Sequence, residues 1–328
     1  MPALLTHYLC GGEVLQSIDI SGITDTTSKY RNLFNLGTQG PDIFFYHNAY
    51  PCAKGESLDK LGGRLHNEKV KSFFRHALKA IDKAHGEEKE RLLSYIYGYA
   101  CHYSLDIHAH PYIFYKTGFV LDDGDKKKYD AYHRRFEAEI DAIMARKVLH
   151  KRAHEIPFHE LIAIDKDEAD AIAGMYHYIL KNTFQLDISI ECIEKAPSDM
   201  ASIIKTLRDP LGMKKAMIAF AEKMVKRHHL ISNMIYPLKI DESLDHLNLQ
   251  HSTWYYPWDK SYPQHSSFIE LFHGAIGEAK IMCKNINEYA NKDIDINEVL
   301  CILGNRSFES GLDCDENVKF KYYHLIYA

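Results

Sequence analysis

The chain has 328 residues, 46% of them hydrophobic and 26% charged, the proportions of a globular protein long enough for one large core or two smaller ones. A formal net charge of −5 excludes a global attraction to nucleic acid or anionic lipid and leaves only local basic patches for such partners. The seven cysteines, at positions 10, 52, 101, 192, 283, 301 and 314, form no close pair and no Cys-x2-Cys, which argues against a disulfide framework or a zinc ribbon and favours a reducing compartment.

The N-terminal MPALLTHYLCGGEVL has no basic leader and only a short, interrupted apolar stretch, and no uncharged run approaches the ~18 residues of a membrane span. The cytoplasm is the expected location. His7 lies in this first segment, and one or two short helices are expected over 11–36. GTQGPDIFFYHNAYP (37–51) reads as a Gly- and Pro-rich loop. Asp42 stands where that loop enters the apolar Ile-Phe-Phe-Tyr, and a carboxylate carried into a core needs a partner or a metal. From Leu58 to Ala84, Leu61, Leu65, Phe73, Phe74, Ala77, Leu78 and Ile81 recur at helical spacing, with His66 among them.

Glu88 to Ala109 is the central helix. Its stretch YIYGYACHYSLDIHAHPYIFY (95–115) sets His102 four residues before Asp106, and Asp106 four before His110. Residues four apart on a helix lie one turn above another on one face, so an imidazole and a carboxylate can grip one ion. Pro111 disfavours helical geometry at the preceding residue, which predicts a helix end at His110 and a free orientation for its ring. A polar loop then leads into a long amphipathic helix within 122–149, where His133 and Glu137 repeat the four-residue spacing. Further helices are expected over 165–184, over 197–231 with a break near Pro210, and over 266–290, with short ones at 298–303 and 307–312. The segment 238–263 is irregular and aromatic, with room for a small sheet in 236–260. The fold class is therefore all-α: a single domain over 1–328, in which 1–150 bears the ligand-type residues and 151–328 completes the bundle.

Taken singly, these residues have ordinary readings. His102–Asp106 can be a buried hydrogen bond between helix turns, and His133–Glu137, beside Arg134 and Arg135, a surface pair. Together they offer two successive helices each with His and a carboxylate at i,i+4, preceded by His7, Asp42 and His66. Helical bundles build metal sites from facing helices in this way. A nitrogen and oxygen donor set without Cys suits zinc, and iron or manganese would also accept it. A di-iron bundle would need paired Glu-x2-His motifs where this chain has His-x3-acid.

The ordered set Thr-His7, Gly-Pro-Asp42-Ile-Phe, Leu-His66-Asn, His102-x3-Asp106-x3-His110-Pro and His133-x3-Glu137 resembles the zinc-dependent phospholipase C family. That family includes bacterial phospholipases C, clostridial alpha-toxin and the N-terminal domain of glycosylphosphatidylinositol-specific phospholipase D, and single-strand-specific zinc nucleases are similar. The motifs cover roughly residues 5–140. The resemblance implies a multi-helix domain with a buried cluster of up to three zinc ions. Asp42, His66, His102 and Asp106 would hold the first. Asp106 would bridge to a second, shared with His7, and His110, His133 and Glu137 would hold the third. Asp42 would also be the catalytic general base.

The secreted members ligate zinc through an N-terminal Trp, whereas this chain has Trp only at 254 and 258, so two ions or three are both open. The shorter spacing after the bridging Asp leaves His108 and His110 as alternatives. The implied activity is metal-dependent phosphodiester hydrolysis of a small phosphodiester or phospholipid, with transient membrane contact and no stable nucleic-acid complex. HSTWYYPWDKSYP (251–263) reads as a groove lining, a membrane contact or a packed loop. A zinc nuclease on the same fold, using the basic stretches 126–128, 134–135 and 223–229, and a non-catalytic metal-stabilised binding protein are the alternatives.

Overall fold

A computed structural model describes residues 4–50, 53, 55–121, 126–225 and 228–327. The expected polar loop at 122–125, Cys52 and the basic pair at 226–227 lie outside the described residues.

The axis of the molecule is α7 (Gly86–Thr117), buried on nearly every face from Leu92 onward. The long α13 (Phe268–Ala290) packs along it, and α3 (Arg31–Gly37) crosses it on another side. At that crossing two glycines meet: a Cβ on Gly98 would sit 2.1 Å from the Phe34 carbonyl oxygen. The missing side chain lets the end of α3 lie directly on α7, which delivers the 38–42 backbone to His102. Around this axis stand α1 (Leu4–Ser17), α2 (Ser21–Lys29), α5 (Asp59–Asn67), α6 (Val70–Lys83) and α8 (Lys126–Leu149). The second half adds α9 (Phe158–Leu161), α10 (Lys166–Ile179), α11 (Ile190–Leu207), α12 (Met213–Met224) and α14 (Ile296–Leu303). One continuous apolar core runs through both halves, from Leu5 and Phe74 through Tyr99 and Ile140 to Tyr176 and Met282. Among the described residues the only sheet is an antiparallel hairpin, β1 (Trp254–Tyr256) with β2 (Asp259–Gln264), so the all-α class holds.

Several boundaries differ from the sequence reading. The central helix does not end at His110 but continues through Pro111 to Thr117. Proline costs a helix interior one hydrogen bond and roughly 3 kcal/mol. Here Leu105, Ile107, Ala109, Tyr112, Ile113 and Tyr115 are all buried on either side of it, and their burial outweighs that cost. The expected helix over 58–84 is two helices, parted at Lys69, whose φ of 54° is left-handed. The loop over 37–51 contains a 3-10 turn, Gly40–Asp42, and the short α4 (Ile43–Tyr46). The stretch 307–312 is a turn, not a helix; the Phe308 amide donates to the His66 carbonyl at 2.9 Å and ties it down.

Candidate metal centre

The unbroken α7 puts His102, Asp106 and His110 on one stripe facing inward. The Nε2 of His102 lies 3.0 Å from Asp106 Oδ2, and the Nδ1 of His110 lies 3.5 Å from Oδ1. Helix α1 brings in His7, whose Nε2 is 3.1 Å from Asp106 Oδ1. The last turn of α5 supplies His66, with Nε2 3.2 Å from Asp42 Oδ1 and 3.9 Å from Asp106 Oδ2. On α8, His133 Nε2 lies 3.1 Å from Glu137 Oε1, and His110 Nε2 reaches the same oxygen at 3.5 Å. Three sets result, each with its ligand atoms within 4.8 Å of one another: His7 with His102 and Asp106; Asp42 with His66 and His102; and His110 with His133 and Glu137. All eight residues singled out in the sequence converge. His108 is not among them, because its ring turns toward Glu278 on α13, with Nε2 3.5 Å from Oε2.

The rings are oriented by backbone carbonyls. Nδ1 of His66 pairs with the Gly62 carbonyl at 2.7 Å, that of His102 with Thr38 at 3.1 Å, and that of His110 with Phe308 at 2.9 Å. With the proton held on Nδ1, the Nε2 lone pair is left pointing into the cluster, the usual arrangement of a metal-binding imidazole. Gly40 makes room for this. It has φ +51°, and a Cβ there would lie 2.2 Å from the His102 ring. The Gly of the Gly-Pro-Asp turn is thus set by the histidine packed against it.

Inside the cluster, His102 Nε2 and Asp106 Oδ2 are buried without a hydrogen-bond partner among the described residues. Buried polar atoms are ordinarily satisfied, and leaving one unpaired costs about 1–3 kcal/mol. A cation between them would satisfy both, so the donor set fits a divalent metal. The protonation pattern agrees. Burial opposes ionisation of Asp42, but the hydrogen bond from the His66 ring, with His102 beside it, prevails and holds its carboxyl low. Burial likewise opposes ionisation of Asp106 and Glu137. His110, His102 and His7 nonetheless hold Asp106 well below the usual carboxylate range, and His133 and His110 do the same for Glu137. Burial keeps His102 down, toward the neutral form that can donate a lone pair. His110 is pushed up to about 9, against its own burial, by Asp106 and Glu137. Three carboxylates in a largely buried site make a strong sink for positive charge.

Two residues of the site escaped the sequence reading. Phe308 is fully buried between the rings of His66 and His102, with centroids at 5.0 and 5.8 Å. Its carbonyl orients His110, and nothing in its local sequence marks it. Asp141 is the other. It accepts from the Leu5 and Thr6 amides and the Thr6 hydroxyl, at 3.0, 2.7 and 2.6 Å, and from the Tyr236 hydroxyl at 2.8 Å. It therefore fixes the start of α1, and with it His7, to the helix bearing Glu137. A signal was there to read, since His133, Glu137 and Asp141 continue one four-residue spacing.

The aromatic stretch divides between two roles. Trp254 is core, its Nε1–H donating to the Ser266 carbonyl at 3.0 Å. Trp258 is half-buried and begins a chain of ring contacts, to Phe320 at 5.8 Å, then Phe114 at 5.1 Å, then His133 at 4.9 Å. An aromatic wall thus stands beside the His110–His133–Glu137 set, whose two histidine side chains are each 13% exposed, more open than the other ligand-type residues.

The family model for zinc-dependent phospholipase C matches residues 6–197, more than half of the chain, and the match spans all eight converging residues. It extends well past the motif-bearing region, into α11. Comparisons with curated proteins and with solved structures gave no match. With the family match over this length and the buried His and carboxylate sets it encloses, the chain belongs to the zinc-dependent phospholipase C family.

Proposed function

We propose that this protein is a phosphodiester hydrolase that acts on phospholipids, with two or three zinc ions held by the converging cluster. Asp42, His66, His102 and Asp106 would hold the first ion. Asp106 would bridge to the second, which His7 completes, and His110, His133 and Glu137 would hold the third. Zinc at such a site polarises phosphoryl oxygens and lowers the pKa of bound water toward ~7. Asp42, kept ionised by its neighbours, would accept a proton from the attacking water. The carbonyls of Gly62, Thr38 and Phe308 keep three imidazoles in the ligating tautomer. The wall of Phe114, Phe320 and Trp258 gives the apolar part of a substrate a surface beside the most open ligand set.

The observation that carries this reading is the facing pair of buried atoms, His102 Nε2 and Asp106 Oδ2, 3.0 Å apart and without a hydrogen bond among the described residues, in a cluster that also holds the carboxylates of Asp42 and Glu137. The test is metal analysis of the purified protein, with hydrolysis of bis(p-nitrophenyl) phosphate, phosphatidylcholine and single-stranded DNA. We expect at least two zinc ions per chain, chelator-sensitive turnover, and phospholipid preferred over DNA. Fewer than two zinc ions per chain, or metal-loaded protein inactive on all three substrates, overturns the reading; preference for DNA moves it to the nuclease class.

A further inference from the structure

An amphipathic surface helix normally turns its apolar stripe to the core and its charges to water. Helix α12 does the reverse. Met213, Met217, Phe220 and Met224 recur at helical spacing and are 63%, 67%, 67% and 69% exposed. Leu211 before the helix and Val225 after it extend the stripe, at 75% and 64% exposure. The helix is held to the body by its charged residues instead. Glu222 is buried and accepts from the Ile231 and Ser232 amides and the Ser232 hydroxyl, at 2.7, 3.2 and 2.6 Å. The Lys215 ammonium donates to the carbonyls of Ser232 and Ile235, at 2.9 and 2.7 Å. Burying a carboxylate and an ammonium while large apolar side chains stay in water is unfavourable for an isolated chain, and exposed stripes of this kind mark interaction sites.

We propose that α12 is a docking helix for an anionic phospholipid surface. Charge chooses the occupant. The exposed charged residues of the helix are Lys214 and Lys223, one near each end, and its acidic residue is turned inward. A second copy docking by this same face about a two-fold axis would set those cations against their own copies. Anionic headgroups neutralise them while Met and Phe enter the acyl boundary, which is how interfacial helices bind. Methionine suits this, being flexible enough to pack against a fluid partner.

The position of the helix fits substrate delivery. The turn it grips, Ser232–Met234, packs on α8, where the Arg134 guanidinium, next to His133, donates to the Leu230 carbonyl at 3.2 Å. A largely apolar cavity beside α8 is lined by Arg134 and Ala138 of that helix together with Tyr46, Leu207, Arg208 and Met234. The docking face thus sits one turn of chain from the ligand helix. This link to substrate rests on the phospholipase reading; the docking itself does not.

The test uses the metal-loaded full chain and vesicles of phosphatidylcholine, with or without phosphatidylserine, read by co-sedimentation. A Met217→Glu/Phe220→Glu variant is compared, with soluble-phosphodiester turnover and thermal unfolding as fold controls. Wild type should bind the phosphatidylserine vesicles, and the variant at least tenfold more weakly, with soluble turnover unchanged. Absence of wild-type binding, or equal binding by the variant, overturns docking while leaving the hydrolase reading to its own assay. A dimer in sedimentation velocity that the same substitutions dissociate assigns the stripe to a second copy and also overturns it. Vesicle binding by a protein that hydrolyses no phosphodiester would retain docking and remove the hydrolase reading.

Discussion

His7 on α1 and Asp106 on α7 meet with Nε2 3.1 Å from Oδ1, while the other oxygen of the same carboxylate faces His102 at 3.0 Å. One side chain therefore presents its two oxygens to different histidines, Oδ1 to His7 and Oδ2 to His102, with His66 Nε2 3.9 Å from the second. The Asp106→Asn substitution keeps the shape but removes the charge and one ligating oxygen. It should lower zinc content by more than one ion per chain, whereas Glu137→Gln should cost one. Equal losses in the two variants, by elemental analysis after dialysis, would show that Asp106 does not bridge.

His102 belongs to two of the three donor sets, so it separates packing from ligation. A purely structural His102→Ala change would cost about 1–3 kcal/mol through a cavity and an unpaired Asp106, and the folded fraction would keep its turnover. As a ligand it should lower phosphodiester turnover per folded molecule by orders of magnitude, with partial recovery in excess zinc. A folded variant with wild-type turnover and full metal content would remove His102 from the site.

Phe308 tests the contribution of the C-terminal half. Phe308→Ala opens a cavity against the His66 and His102 rings and should destabilise by about 3–5 kcal/mol. Because the rings lose their support, zinc affinity should also fall, about 10- to 100-fold, as for other groups that orient ligands. Phe308→Leu should recover most of both. Unchanged zinc affinity in the alanine variant, measured by chelator competition, would reduce Phe308 to a core residue.

The zinc-free and zinc-loaded proteins should respond oppositely to alkaline pH. In the zinc-free chain His110 titrates at about 9, above the ~6.5 of an unfolded imidazole, so its stabilising contribution is full below ~6.5 and is lost as pH rises through 9. Asp106 and Glu137 are shifted down, so theirs is present above the ordinary carboxylate range and lost as pH falls. Zinc needs deprotonated imidazoles, and its binding strengthens over the interval in which the zinc-free site weakens. Thermal unfolding with chelator should show a falling Tm between pH 6.5 and 9, and with excess zinc it should not. A chelated protein whose Tm stays flat or rises over that range would contradict the charge assignment, and His110→Gln should weaken the dependence, leaving the part that His66, also raised against its burial by Asp42 and Asp106, contributes.

The helical class and the residues that converge were legible in the sequence, with His108 left as an alternative to His110. The reason is local: a four-residue spacing of His and acid has a fixed meaning on a helix, and Gly-Pro-Asp before an apolar run has few others. It could not place the end of α7, because Pro111 is a local signal and the burial that overrides it comes from distant elements such as α13. Nor could it choose between His108 and His110, since they stand only two positions apart and only a continuous helix turns one to Glu137 and the other to Glu278. Phe308, the Thr38 carbonyl and the seat of α1 on Asp141 are contacts between residues far apart in the chain, and no periodicity encodes such contacts. The outward stripe of α12 is the same case in reverse. Its sequence reads as an ordinary amphipathic helix, and only the grip of Glu222 and Lys215 on the 231–235 turn decides which face meets water.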